Sequence, residues 1–299
     1  MFLTGEVRAE RPPPPPDHAP SIEVENRVRW DPRWQRFELG NYLTTGGLLA
    51  VGLASLAIPP DEERWTDSNS FDRSVRSALR LTSRDDQFIA RDASDVLLAV
   101  AINQLLIDSL VVTWWGHDNG DVAWQMAMMS VEALAFNSAV NGLVTALASR
   151  QRPYAQPVED GGTEGNICVG ADDELLDDCR SNKRYRAFYS GHTSATFTIA
   201  GLTCMHHAHL PLYGGGGGDA FACVAGFAVA GATGVLRIVS EQHWGTDVLV
   251  GAAMGTFHGL MIPWLFHYRT GDLPEAPKDG SIRWYVVPNA TGASVTGVF

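Results

Sequence analysis

Six apolar runs, each close to the length of a bilayer-crossing helix, constrain this chain more than anything else in it. They are Tyr42 to Ile58, Ala93 to Trp115, Val122 to Ala148, Gly191 to Leu210, Ala220 to Val239 and Thr246 to Tyr268. A helix needs ~20 predominantly apolar residues to cross the hydrocarbon core. Inside that core only helices and closed barrels satisfy their own backbone. The runs therefore predict an all-α, six-helix transmembrane bundle, with Tyr42 to Ile58 as its clearest membrane segment. A soluble all-helical bundle is the alternative, and a whole-chain mean hydropathy of -0.05 fits it superficially. That mean is diluted by charge concentrated in the tails and in the stretches 61–92 and 149–189. Trp114, Trp115, Trp124, Trp244, Trp264 and Tyr268 stand near the ends of runs, where an aromatic belt is expected.

The flanks divide the chain. Residues 1–40 are polar, carry the polyproline stretch Pro12 to Pro16, and predict a disordered tail. Nothing near Met1 has the basic, apolar, small-residue order of a cleavable export signal. Residues 41–268 form the helical membrane domain, and 269–299 a C-terminal tail that is extended from Trp284 to Phe299. Between the first two runs, Phe71, Val75 and Leu79 recur at helical spacing among arginines, which predicts an amphipathic helix on a surface or an ordinary bundle helix.

A formal net charge of -12 excludes a general nucleic-acid binder, which gains its affinity by neutralising phosphates with cations. Lys183 and Lys278 are the only lysines, so the cations are arginines, suited to bidentate phosphate contacts; GC-rich coding gives the same bias. The cysteines show no Cys-x-x-Cys spacing, so no structural metal is expected. Cys168 and Cys179 share a polar loop and can close a disulfide in an oxidising compartment, whereas Cys204 and Cys223 read as small core residues. Asp95, Asp108 and Glu132 fall inside apolar runs, where an acid must be paired, hydrated or protonated. Asn103, Asn137 and Asn141 are the expected partners. Gly214 to Gly218 reads as a flexible turn without the ending of a phosphate loop, and His206, His207 and His209 before it as interfacial residues.

Alternating helices bring three clusters to one end: Arg150 to Pro153, Ser190 to His192, and Arg237 to Asp247. His243 and Asp247, four apart, share a helix face, so the carboxylate can bind one imidazole nitrogen and leave the other free to attack. Ser190 and Gly191 open a helix whose N–H groups form an oxyanion site. Phosphate is the ligand these groups suit.

These residues resemble the type 2 phosphatidic acid phosphatase (PAP2) superfamily, whose pattern is K-x6-R-P, then P-S-G-H, then S-R-x5-H-x3-D. Arg152 and Pro153, Ser190 to His192, and Arg237, His243 and Asp247 carry the resemblance over roughly Ala93 to Tyr268. Thr145, Tyr189 and Leu236 depart from it, replacing the lysine, the proline and the serine. The resemblance implies a membrane phosphatase of lipid phosphates or diphosphates that needs no metal or cofactor. It implies His243 as nucleophile, Asp247 as its orienting acid and His192 as general acid and base, with a bell-shaped pH profile. Arg152, Ser190, Gly191 and Arg237 would hold the phosphoryl group, with Arg150 reaching in to compensate for the lysine. The alternatives are a vanadate-dependent haloperoxidase-like enzyme and a non-catalytic lipid-phosphate binding or transport protein. The implied place is the cell (inner) membrane with an extracytoplasmic site, although Arg64, Arg73, Arg76, Arg80, Arg84 and Arg91 on the same side favour the cytoplasm by charge alone.

Overall fold

The computed structural model describes residues 28–156, 168 and 182–269, and the backbone of 283–289 and 292–298. Seven α-helices are present among them: α1 (Leu39–Ser55), α2 (Ser70–Leu79), α3 (Arg84–Leu106), α4 (Gly120–Ala148), α5 (Gly191–His209), α6 (Gly217–Val239) and α7 (Gly245–Pro263). Both α3 and α7 continue as π-helical segments, Ile107–Gly116 and Trp264–Tyr268. All six apolar runs are helices, and the amphipathic stretch is α2. Asn69 caps α2, its side chain accepting from the Asp72 amide, which is why the helix starts there.

Among the described residues four helices are long and apolar enough to cross a membrane: Arg84–Gly116, Gly120–Ala148, Gly217–Val239 and Gly245–Tyr268. The protein is an integral membrane protein, and its outer surface agrees. Leu43, Leu53, Val96, Val100, Phe221, Val224, Leu249 and Phe257 are large, apolar and exposed, an arrangement that water penalises and lipid does not. Tyr42 to Ile58, expected to be the clearest span, is not among the four; its helix is only 17 residues long.

The fourth run, α5, also falls outside the four, because it is the buried centre of the bundle. Its polar residues face protein: Thr193, Ser194, Thr196, Thr198 and Thr203 are buried, and Thr196 and Thr198 return their hydroxyls to the helix carbonyls of His192 and Ser194. Against α5 lies α7, with Gly251, Gly255 and Gly259 one turn apart. A Cβ on any of the three would collide with the backbone of Ser190, Ser194 or Thr198. This glycine stripe lets the two helices meet at backbone distance, and Ser190 N–H donates to Asp247 O at 3.1 Å. The starts of α5 and α7 are thereby fixed together. An apolar cluster of Ala101, Leu105, Ala133, Ile199, Leu202 and Ile262 fills the middle.

Several expectations are corrected. Residues 28–38, assigned to the tail, pack on the bundle: Val28 joins Val122, Met126, Leu210 and Leu212, and Phe37 joins Met129 and Tyr268. Cys204 and Cys223 are not merely small core residues; they form a disulfide joining α5 to α6, with Cα atoms 4.4 Å apart. Cys168 is disulfide-bonded too, while Cys179 lies outside the described residues, as does Pro12 to Pro16. Trp244 and Tyr268 are buried and leave the aromatic belt to Trp114, Trp115, Trp124 and Trp264. His206 and His207 are buried as well, not interfacial. The C-terminal stretch forms an antiparallel hairpin, β1 (Arg283–Asn289) with β2 (Gly292–Val298), in place of an extended tail.

Candidate active site

The three clusters meet where α4 ends and α5 and α7 begin. Their backbones are tied directly: Ala187 N–H donates to Arg150 O at 3.0 Å and Tyr154 N–H to Glu241 O at 3.2 Å. The short loop from α6 to α7 turns at Glu241, whose φ is 59°, and carries His243 into the interior.

His243 is buried, and its Nδ1 lies 2.8 Å from Ala187 O. A carbonyl only accepts, so Nδ1 carries the proton and the lone pair sits on Nε2. Burial pushes the imidazole down to about 4; the Asp247 carboxylate opposes the shift and Arg152 and Arg237 reinforce it. The ring is therefore neutral near pH 7, with one nitrogen anchored and the other free. The expected orienting acid is displaced from that role. Asp247 Oδ2 is 3.7 Å from Nδ1, beyond a hydrogen bond, and instead accepts from Trp244 N–H at 2.9 Å, capping α7.

Arg150 is not a phosphate ligand. Its guanidinium is fully buried and donates to Asp72 Oδ2 at 2.6 Å, Asp247 Oδ1 at 2.5 Å and Thr246 Oγ1 at 2.8 Å. It also lies over the Trp65 ring, 4.4 Å from the centroid. Two carboxylates neutralise it, so it cannot replace the motif lysine. Thr145, at the lysine's place, is itself turned inward, its hydroxyl donating to Asn141 O at 2.5 Å.

Arg152 and Arg237, unlike Arg150, meet no pair of buried carboxylates among the described residues. Arg152 donates to Gln242 Oε1 at 2.7 Å and Lys183 O at 3.1 Å. Arg237, almost wholly buried, donates through Nη2 to Asp95 Oδ1, and its Nε has no partner among the described residues. His192 Nε2 lies 3.0 Å from the same Asp95 oxygen. Ser190 caps α5, its Oγ accepting from Thr193 N–H, so the first turn presents free N–H groups. Asn141 clamps the approach to that turn, donating to Tyr189 O at 2.9 Å.

Three participants escaped the sequence. Ala187 acts through its carbonyl, for which no side-chain signal exists. Asp72 sits on an exposed-looking helix and is marked only by its spacing from Asn69. Asp95 was visible as an acid within an apolar run, but with asparagine partners expected. Asn137, Asn141 and Asn103 serve other groups: His258, Tyr189 O and Ala99 O.

The arrangement defines a class of protein: an oxyanion site at the end of a membrane-helix bundle, beside a neutral, anchored histidine. The PAP2 superfamily model matches residues 127–271, and over these residues the chain is similar to that superfamily. The chain is 34% identical over 113 residues to lipid A 1-phosphatase of Porphyromonas gingivalis, a match covering 36% of this chain and 23% of that protein. It thus spans about a quarter of the relative's length. A crystal structure of a transmembrane PAP2 type phosphatidylglycerolphosphate phosphatase from Bacillus subtilis aligns with a TM-score of 0.42 at 15% identity. That alignment covers 73% of this chain and 94% of the other.

Proposed function

We propose that this protein is a membrane phosphatase that hydrolyses a lipid phosphate or diphosphate monoester through a phosphohistidine. The observation that carries the reading is the state of His243: neutral, anchored through Nδ1 to Ala187 O, and set in the loop that joins Arg237 to α7.

In this reading His243 Nε2 attacks phosphorus as the ester P–O bond breaks. His192, which burial and the Arg237 guanidinium push down to about 3 before substrate arrives, takes up a proton as the anionic phosphoryl group binds and delivers it to the leaving oxygen. It then takes one from the water that attacks phosphorus and breaks the P–N bond. Arg152, Arg237 and the N–H groups of Gly191 and His192 at the start of α5 hold the phosphoryl oxygens and stabilise the charge that builds on them. Asp247 acts on His243 at longer range and by capping α7. Every residue assigned a bond-making role stands at one end of the bundle, and no step needs a metal.

The relative acting on lipid A suggests a phosphorylated lipid whose headgroup meets the site at the membrane surface. The cell (inner) membrane, with the site extracytoplasmic, is the proposed location. The bonded Cys168, buried against Tyr154 beside Arg152, supports it, since disulfides persist in oxidising compartments.

Detergent-purified protein should release phosphate from labelled phosphatidate, isoprenyl diphosphate or lipid A in the presence of a metal chelator. Lipid binding without turnover on all three would replace the reading with a binding or transport protein. Vanadate-dependent halide oxidation would replace it with a peroxidase.

A further inference from the structure

Among the described residues Asp95 is the one acid that pairs with Arg152 or Arg237 at this end of the bundle, and it remains half open to the outside. Its side chain is 53% exposed, against 4% for its partner Arg237. The other arginine-paired acids nearby, Asp72, Asp247 and Glu241, are at most 1% exposed. Those three are gripped through both carboxylate oxygens. Among the described residues Asp95 is held by Arg237 Nη2 and His192 Nε2, and both converge on its Oδ1, leaving Oδ2 unused.

Resting on the phosphatase reading, we propose that Asp95 is a resident counter-anion of the site. Its carboxylate occupies the position between Arg237 and His192 that the substrate's phosphoryl oxygens take, and the substrate must displace it.

The partner set supports this. Arg237 Nε is buried without an acceptor while Asp95 is in place, so the carboxylate uses the guanidinium incompletely. A tetrahedral phosphoryl group offers more oxygens than one shared carboxylate atom and can engage Nε as well as Nη2. Two anions cannot share the same donors without strong repulsion, so pairing with Asp95 and binding of a phosphoryl group exclude each other. The exit is open, because the carboxylate already faces outward, and Arg91 stands one turn earlier on the same face of α3. Without substrate, Asp95 keeps Arg237 and His192 placed and charge-compensated. With substrate, His192 Nε2 is released toward the leaving oxygen. This arrangement also accounts for how the buried Arg237 is tolerated at a site that lacks the motif lysine.

The test uses the full chain in detergent, with orthovanadate and inorganic phosphate as tetrahedral oxyanions competing against lipid phosphate turnover. Asp95→Asn keeps the shape and removes the charge. It should tighten inhibition by both oxyanions about tenfold and lower KM for the lipid. A residue that merely positions His192 would lower kcat with oxyanion affinity unchanged, and that result overturns the proposal. A second measurement needs no variant. Carbodiimide labelling of Asp95 in the wild-type protein, read by peptide mass spectrometry, should accelerate when vanadate is bound. Unchanged or slower labelling overturns the proposal while leaving the phosphatase reading intact if turnover is present. Wild-type protein that neither binds oxyanions nor turns over lipid phosphate overturns both.

Discussion

The two ends of α5 hold the same chemical groups and differ in how completely those groups are used. At the C-terminal end His207 lies between two acids, with Nδ1 2.6 Å from Asp219 Oδ1 and Nε2 3.4 Å from Asp108 Oδ2. Asp108 also accepts from Tyr213 Oη at 2.7 Å and Gln104 Nε2 at 3.0 Å. Nearby, Glu132 binds His267 Nε2 at 2.8 Å and Asn41 Nδ2 at 3.1 Å. At the N-terminal end His243 uses one nitrogen, Arg237 leaves Nε unpartnered, and the first turn of α5 keeps its N–H groups. A saturated network has nothing left to offer a ligand and serves the fold. The unsaturated one of the same composition is where the proposed function puts binding and proton transfer. Saturation, more than residue type, separates the structural end from the chemical end.

The comparison breaks most sharply at His243. Its replacement by Ala should reduce turnover by on the order of 10³-fold or more and leave the melting temperature in detergent nearly unchanged. Loss of Arg152 or Arg237 to Ala follows, at roughly 10²- to 10³-fold in kcat/KM with the lipid phosphate. The reverse pattern is expected at the structural groups. Arg150→Met strips the cation from two buried carboxylates and should cost about 3–5 kcal/mol of stability, measured by thermal or denaturant unfolding. His207→Ala should likewise destabilise, by about 3 kcal/mol, with turnover per folded molecule unchanged. A His207 variant that folded normally but lost activity would erase the distinction between the ends.

The smallest effect is that of pH. Because His243 titrates at about 4 in the folded protein, it stays unprotonated across the neutral range, and the acid limb of kcat/KM should fall only as pH drops through about 4. Its folded value lies below the ordinary histidine value of 6.5, so the unfolded chain binds the extra proton more readily. The stability it contributes is complete above 6.5 and is lost as pH falls through about 4. An acid limb near 6.5 would show that the ring is not sealed as described.

Much of this was legible in the sequence. The six helices follow from apolar run length, the meeting of Arg152, Ser190 to His192 and Arg237 to Asp247 follows from alternating helix direction, and the amphipathic spacing of Phe71, Val75 and Leu79 gave α2. What escaped was partnership. Nothing local distinguishes Arg150, neutralised by Asp72 from α2, from Arg152 two residues later. The hydrogen bond orienting His243 comes from a backbone carbonyl, and the spacing of His243 and Asp247 suggested a direct contact that the α7 cap takes away. Hydropathy also misjudged α5, whose threonines and histidines are polar because they face protein instead of lipid.

The central claim is that His243, anchored through Nδ1 and free at Nε2, carries the phosphoryl group. Rapid acid quench of protein turning over ³²P-labelled lipid phosphate, followed by alkaline peptide mapping, tests it directly. The account predicts an acid-labile, base-stable phosphoenzyme whose label maps to His243 and is absent in His243→Ala. Label at another residue, or undiminished turnover by His243→Ala, would contradict it.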